Sequence, residues 1–141
     1  MKNTFEKIFN KMNFKKKLKI LIVDDNIHFC NALKFLIIDS FEDIIDTIKF
    51  SHSGDEFLEE IKNTWYDIVF MDINLPDKSG IEVAKEATAI YRNLYIVGLS
   101  FHSEMKYIIQ MIEAGARNYI TKDEINKEVL KKILEKEYYL I

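Results

Sequence analysis

Five polar residues stand at the ends of short apolar runs. Asp24 and Asp25 close Leu18–Val23, Asp72 closes Tyr66–Met71, Ser100 closes Leu94–Leu99, and Lys122 follows Asn118–Thr121. If these runs are parallel strands of one sheet, three carboxylates, a hydroxyl and an ammonium gather at one edge. Carboxylates brought together repel, and each then resists ionising. A hard divalent cation relieves the repulsion. Mg²⁺ (or Mn²⁺) takes oxygen ligands, keeps several waters and completes its shell with a phosphate oxygen. Lys122 and the Ser100 hydroxyl suit the remaining phosphoryl oxygens. With charge on those oxygens neutralised, a carboxylate can attack phosphorus in line. Asp72 lies between the acid pair and the Ser/Lys pair in strand order, so it is the expected nucleophile, forming an acyl phosphate. Singly, an Asp-Asp pair also reads as a solvated strand end and a lysine as a surface charge. All of them in strand order favour chemistry.

The elements that must position these groups are visible in the hydropathy pattern. Leu18–Val23 reads as a strand buried on both faces. Ile27 to Ser40 carries Phe29, Leu33, Leu36 and Ile37 at helical spacing, and Asp46 to Phe50 is a weaker strand candidate. Ser53-Gly-Asp-Glu56 has the form of a capping box, followed by Phe57, Leu58 and Ile61 on one helix face. Tyr66–Met71 is the strongest central strand. Pro76 and Gly80 punctuate the next loop, and Ser79 can cap a helix from Gly80 to about Tyr91. After the fourth strand, Leu94–Leu99, Ser103 can cap a helix to about Ala114, with Gly115 as its stop. On that fourth helix Met105, Ile108, Ile109 and Ile112 are expected to face inward. Tyr107 and Met111 are expected on the far side as a partner surface. Asn118–Thr121 is a short fifth strand, and a last helix starts near Glu124, with Ile125, Val129, Leu130, Ile133 and Leu134 along it. Five strands alternating with five helices imply an α/β fold, a parallel sheet covered on both faces. Ligands of such sheets sit at the carboxyl ends of the strands.

The segments Ile20–Asp25, Asp67–Asp72, Leu75–Ile81, Val97–Ser100 and Gly115–Lys122 together resemble the receiver domain of two-component response regulators, a CheY-like family. The resemblance covers roughly Leu18 to Leu134. It implies a flavodoxin-like doubly wound (βα)5 sheet with strand order 2-1-3-4-5. It also implies Asp72 as phosphoacceptor; Asp24, Asp25, Asp72 and the Asn74 carbonyl as metal ligands; and Ser100 and Lys122 as holders of the phosphoryl oxygens. Tyr119 matches the family's switch aromatic, coupled to Ser100, and the surface of the fourth helix, fifth strand and fifth helix would change shape for a downstream protein. The phosphoryl group would come from a histidine kinase or phosphotransfer protein, in the cytoplasm.

Departures from the common family pattern carry expectations too. Phe101 stands where a small residue is usual, so its ring can narrow access to Asp72 or fold outward over apolar surface. Asn74 and His102 occupy positions that influence the lifetime of the phosphorylated state. Asp123 replaces a common proline, so no cis peptide is expected after Lys122. His28 and His52 are expected on the surface or in loops, Cys30 in the core or at its boundary, and Trp65 at the end of the third strand opposite Asp72.

Composition narrows the class. A chain of 141 residues with 48% apolar residues suits one domain. One cysteine excludes an internal disulfide framework, and no apolar run reaches membrane-span length. The net charge of −3 averages two unlike parts: residues 1–19 hold seven lysines against Glu6, while the other 122 residues hold 13 basic and 22 acidic groups. Residues 1–17 read as a basic arm, amphipathic or disordered, that could contact an anionic membrane, a partner or the acidic body of a second copy. Residues 18–141 read as the receiver. The leading expectation is a stand-alone receiver whose only catalysis is on itself. It would signal by protein–protein contacts, including a possible homodimer, without direct nucleic-acid contact. The alternative is the receiver part of a helix-turn-helix transcriptional regulator; against it, the chain ends within about 20 residues of Lys122, which leaves no room for such a domain.

Overall fold

The computed structural model describes residues 16–140. The arm expected at 1–17 lies almost wholly outside them. Five strands, β1 (Leu18–Val23), β2 (Ile45–Ser51), β3 (Ile68–Asp72), β4 (Ile96–Ser100) and β5 (Asn118–Thr121), form one parallel sheet in the order β2-β1-β3-β4-β5. Among the described residues, five α-helices alternate with them: α1 (Ile27–Phe41), α2 (Gly54–Asn63), α3 (Gly80–Ile90), α4 (Met105–Glu113) and α5 (Lys127–Leu140). This is the expected flavodoxin-like topology.

The central strands are buried because both sheet faces are covered. Ile20 and Ile22 of β1 point into a layer with Leu33 and Ile37 of α1 and Leu130 and Leu134 of α5. Leu21 and Val23 point the other way, toward Phe57 of α2, Val83 and Ala87 of α3, and Met111 of α4. Each fully buried aliphatic side chain contributes about 1.5–3 kcal/mol, which lets the core tolerate charged groups at the strand ends.

Three of the expected caps form. Ser53 Oγ accepts the Glu56 amide at 3.1 Å, and the Glu56 carboxylate returns to the amide of His52 rather than that of Ser53. Ser79 Oγ accepts the Ile81 amide at 3.2 Å, and Gly115 ends α4 with φ +113°. Two expectations are corrected. Glu104, not Ser103, is the N-cap of α4, and it makes no side-chain cap bond. The last helix begins at Lys127 after a 3-10 turn over Lys122–Glu124, with Asn126 accepting the Val129 amide at 2.9 Å.

The orientation of α4 is also the reverse of the expected one. Met111 is fully buried and Tyr107 half-buried, whereas Met105, Ile109 and Ile112 are exposed at 66%, 46% and 44%. The cause lies in β4. A Cβ added at Gly98 would stand 2.8 Å from Met111 Cγ and 3.0 Å from Tyr119 Cδ2. The missing side chain leaves a notch in the sheet surface, and the flexible Met111 side chain fills it.

Candidate functional site

Parallel pairing brings the polar strand ends together. Asp72 is in register with Leu99, and Ser100 with Thr121, so β3, β4 and β5 finish side by side. Asp24 follows the last residue of β1, and its backbone amide donates to the Ser51 carbonyl at 2.9 Å, which extends the β1–β2 ladder one step. Asp24, Asp72 and Ser100 are buried, while Asp25 and Asn74 are exposed at the rim.

Lys122 Nζ lies 2.6 Å from Asp24 Oδ2 and 3.6 Å from Asp72 Oδ2, with its side chain only 7% exposed. Stripping water from a charge costs several kcal/mol, so such groups persist only when paired. Three carboxylates face this single ammonium, and the pairing is incomplete. Asp24 Oδ2 is buried without an aligned hydrogen bond, although Lys122 stands close to it. Burial, and then the neighbouring Asp24 carboxylate, push the Asp72 carboxyl up to about 6, with Lys122 and the Asn74 amide opposing them. Carboxylate oxygens of Asp24, Asp25 and Asp72 lie within 4.8 Å of one another. An all-oxygen set of three carboxylates facing one ammonium fits a hard divalent cation such as Mg²⁺.

Around this centre the expected residues take distinct places. The Ser100 hydroxyl accepts the His102 amide at 3.1 Å, and the Tyr119 phenol donates to the His102 carbonyl at 2.7 Å. The two expected switch side chains thus hold the same backbone residue. The His102 ring stacks on Tyr107 with centroids 4.2 Å apart. Phe101 is 71% exposed and folds outward, with its ring centroid 5.5 Å from Lys122 Nζ. Burial raises the Tyr119 phenol above its usual range. Cys30 is buried, its Sγ 3.5 Å from the Asp24 carbonyl, and burial pushes its thiol up to about 11. Trp65 is half exposed and precedes β3, away from Asp72. No cis peptide occurs among the described residues.

Four neighbours of the site escaped the sequence reading. Asn26 donates its amide to Asp24 Oδ1 at 2.9 Å and accepts the Phe29 amide at 3.0 Å, so one residue caps α1 and fixes the acid. Its position just before an apolar helical pattern was the available signal. His52 lies in the loop after β2, as expected, and also reaches the site: its Nδ1 lies 2.9 Å from the Asp24 carbonyl, a contact that needs the proton on Nδ1. Asp77 accepts the Gly54 and Asp55 amides at 2.8 and 2.9 Å, tying the loop after Asp72 to the start of α2. Phe29 places its ring over Lys122. No local pattern announces the last three, because each partner is distant in sequence.

Comparison with known proteins agrees with this geometry. The family model for the response regulator receiver domain matches residues 20–135. The chain is 34% identical to the sensory transduction protein LytR of Staphylococcus epidermidis, over 81% of this chain and 45% of that one. It is 33% identical to the chemotaxis protein CheY of Thermotoga maritima, over 74% of this chain and 84% of that one. A crystal structure of a two-component response regulator from Clostridium difficile is similar at a TM-score of 0.78 and 25% identity, covering 87% of this chain and 97% of that one. The chain spans about half the length of several curated relatives it matches.

Proposed function

The chain belongs to the response regulator receiver domain family, and on that premise we propose that it accepts a phosphoryl group on Asp72 from a histidine kinase or phosphotransfer protein. The observation that carries this reading is the meeting of Asp24, Asp72 and Lys122 at the strand ends, with three clustered carboxylates facing one ammonium. A Asp72 carboxylate oxygen attacks phosphorus, and the bond to the donor breaks with its electron pair leaving on the donor. The product is an acyl phosphate on Asp72, and attack by water at phosphorus returns the carboxylate and free phosphate. The protein's chemistry is confined to itself.

Asp24, Asp25, Asp72 and the Asn74 carbonyl are the groups to hold Mg²⁺ or Mn²⁺, which when bound supplies positive charge beside the phosphoryl oxygens. Lys122 exchanges its carboxylate partners for phosphoryl oxygens. Ser100 turns to the same oxygens and releases the His102 amide. Tyr119, held to the His102 carbonyl, follows the loop from Phe101 to Glu104. The change reaches α4, β5 and α5, where Met105, Ile109 and Ile112 give a downstream protein an exposed apolar surface. No helix among the described residues is long and apolar enough to cross a membrane.

A second reading has its own support. Several relatives are named transcriptional regulatory proteins, and the chain spans about half of their length. In that reading this chain is the phosphorylated control part of a DNA-binding regulator, and the source reading frame decides between the two. Acetyl phosphate with Mg²⁺, followed by intact mass, tests the shared chemistry. A single phosphoryl adduct is expected, absent in Asp72→Ala; an adduct that survives that substitution overturns the assignment.

A further inference from the structure

Among the contacts that the proposed chemistry does not use, one bears on its lysine. The Lys122 ammonium is packed against the face of Phe29, 4.4 Å from its ring centroid, on the first turn of α1. A ring face attracts a cation through its quadrupole, and more strongly once both are desolvated. Here the lysine side chain is 7% exposed and Phe29 is half-buried. The Phe101 ring is different: it lies farther away, at 5.5 Å, and is 71% exposed.

Phe29 is also fixed by the site itself. Its amide donates to Asn26 Oδ1, the Asn26 amide donates to Asp24 Oδ1, and Asp24 Oδ2 meets Lys122. Ring, cap, carboxylate and ammonium therefore close a circuit. A lysine ammonium is a point charge on a flexible four-carbon stem, so its aim has to come from what surrounds it. The carboxylates supply one side. Asp24 and Asp72 draw the ammonium toward the acids, and the ring packs against it from another residue.

We propose that Phe29 is a positioning residue for Lys122, holding the ammonium over the gap between Asp24 and Asp72 so that phosphoryl oxygens meet it without reorganising the stem. The effect on rate rests on the phosphoryl-transfer reading above; the contact does not. Phe29→Leu removes the quadrupole and keeps an apolar side chain, whereas Phe29→Tyr keeps the ring.

Side-chain NMR of the full chain, without donor or metal, reads the contact directly. In the wild type the Lys122 Cε protons are expected upfield from the ring current. Phe29→Leu should lose that shift, Phe29→Tyr should restore it and Phe101→Ala should keep most of it. With acetyl phosphate and Mg²⁺, adduct formation should slow about fivefold in Phe29→Leu, the worth of one such contact, and recover in Phe29→Tyr. Identical Lys122 shifts in the wild type and Phe29→Leu overturn the proposal, as does a tyrosine variant no better than leucine in both readouts. A wild type that takes no adduct defeats the phosphoryl-transfer reading instead, and the Lys122 shift still decides the contact.

Discussion

The strand-end edge and helix α4 are built on opposite principles. At the edge, a few charged groups are buried in places that admit little variation: Asp24 and Asp72 must meet Lys122 or remain unpaired. On α4, six of nine residues are apolar, so several rotations about its axis would bury a comparable surface. What selects one rotation is Gly98 in β4, whose missing side chain receives Met111. A scarce group therefore states its own position, whereas an abundant one has its position chosen by the neighbour.

Substitutions on α4 give the widest expected separation. Met111→Ala should cost about 2–5 kcal/mol, because a filled notch becomes a cavity. Ile109→Ala, on the exposed side, should change stability by about 0.5 kcal/mol. Urea unfolding midpoints measure both, and equal losses would erase the contrast between the two faces.

At the edge, the corresponding lever is pH. The folded-state Asp72 carboxyl is raised to about 6, against about 3.9 in the unfolded chain. The folded protein therefore holds the proton more tightly than the unfolded one. The resulting stability is fully present below about pH 4 and is lost as pH rises through about 6, by about 3 kcal/mol in all. Urea unfolding of chelator-treated protein across this range should show the decline in the wild type and not in Asp72→Asn. Parallel pH profiles for the two would mean that Asp72 carries no such load.

The smallest effect is expected where the two regions adjoin. Phe101→Ala removes an outward-folded ring whose centroid is 5.5 Å from the Lys122 ammonium and should speed phosphorylation by acetyl phosphate a few-fold at most, a barrier change of under ~1 kcal/mol. Equal rates would assign the ring to the outer surface alone.

This contrast also explains what could be read from the residues. The gathering of Asp24, Asp25, Asp72, Ser100 and Lys122 at one sheet edge was legible, because a polar group ending an apolar run has few other places in a parallel sheet; the strand order came from the family resemblance. The start of α5 was read too early, since Lys122–Glu124 turns as a 3-10 segment and Asn126 makes the cap. The inward face of α4 was reversed because the helix pattern holds no information about a notch in β4. His52 and Phe29 touch the site only through the fold: one meets a backbone carbonyl across β1 and β2, and the other a lysine from the far end of the sheet.

The strand order has a last consequence, for folding. Asp24 leaves β1, whereas Lys122 arrives only after β5, with β3 and β4 between them in the sheet. The ion pair thus closes a loop of most of the chain, and long-range closures of this kind need the intervening pairings first. A chain that has not docked β5 on β4 presents two acids without their ammonium. The site works as a checksum on assembly: the acids meet their ammonium only when β1, β3, β4 and β5 are side by side.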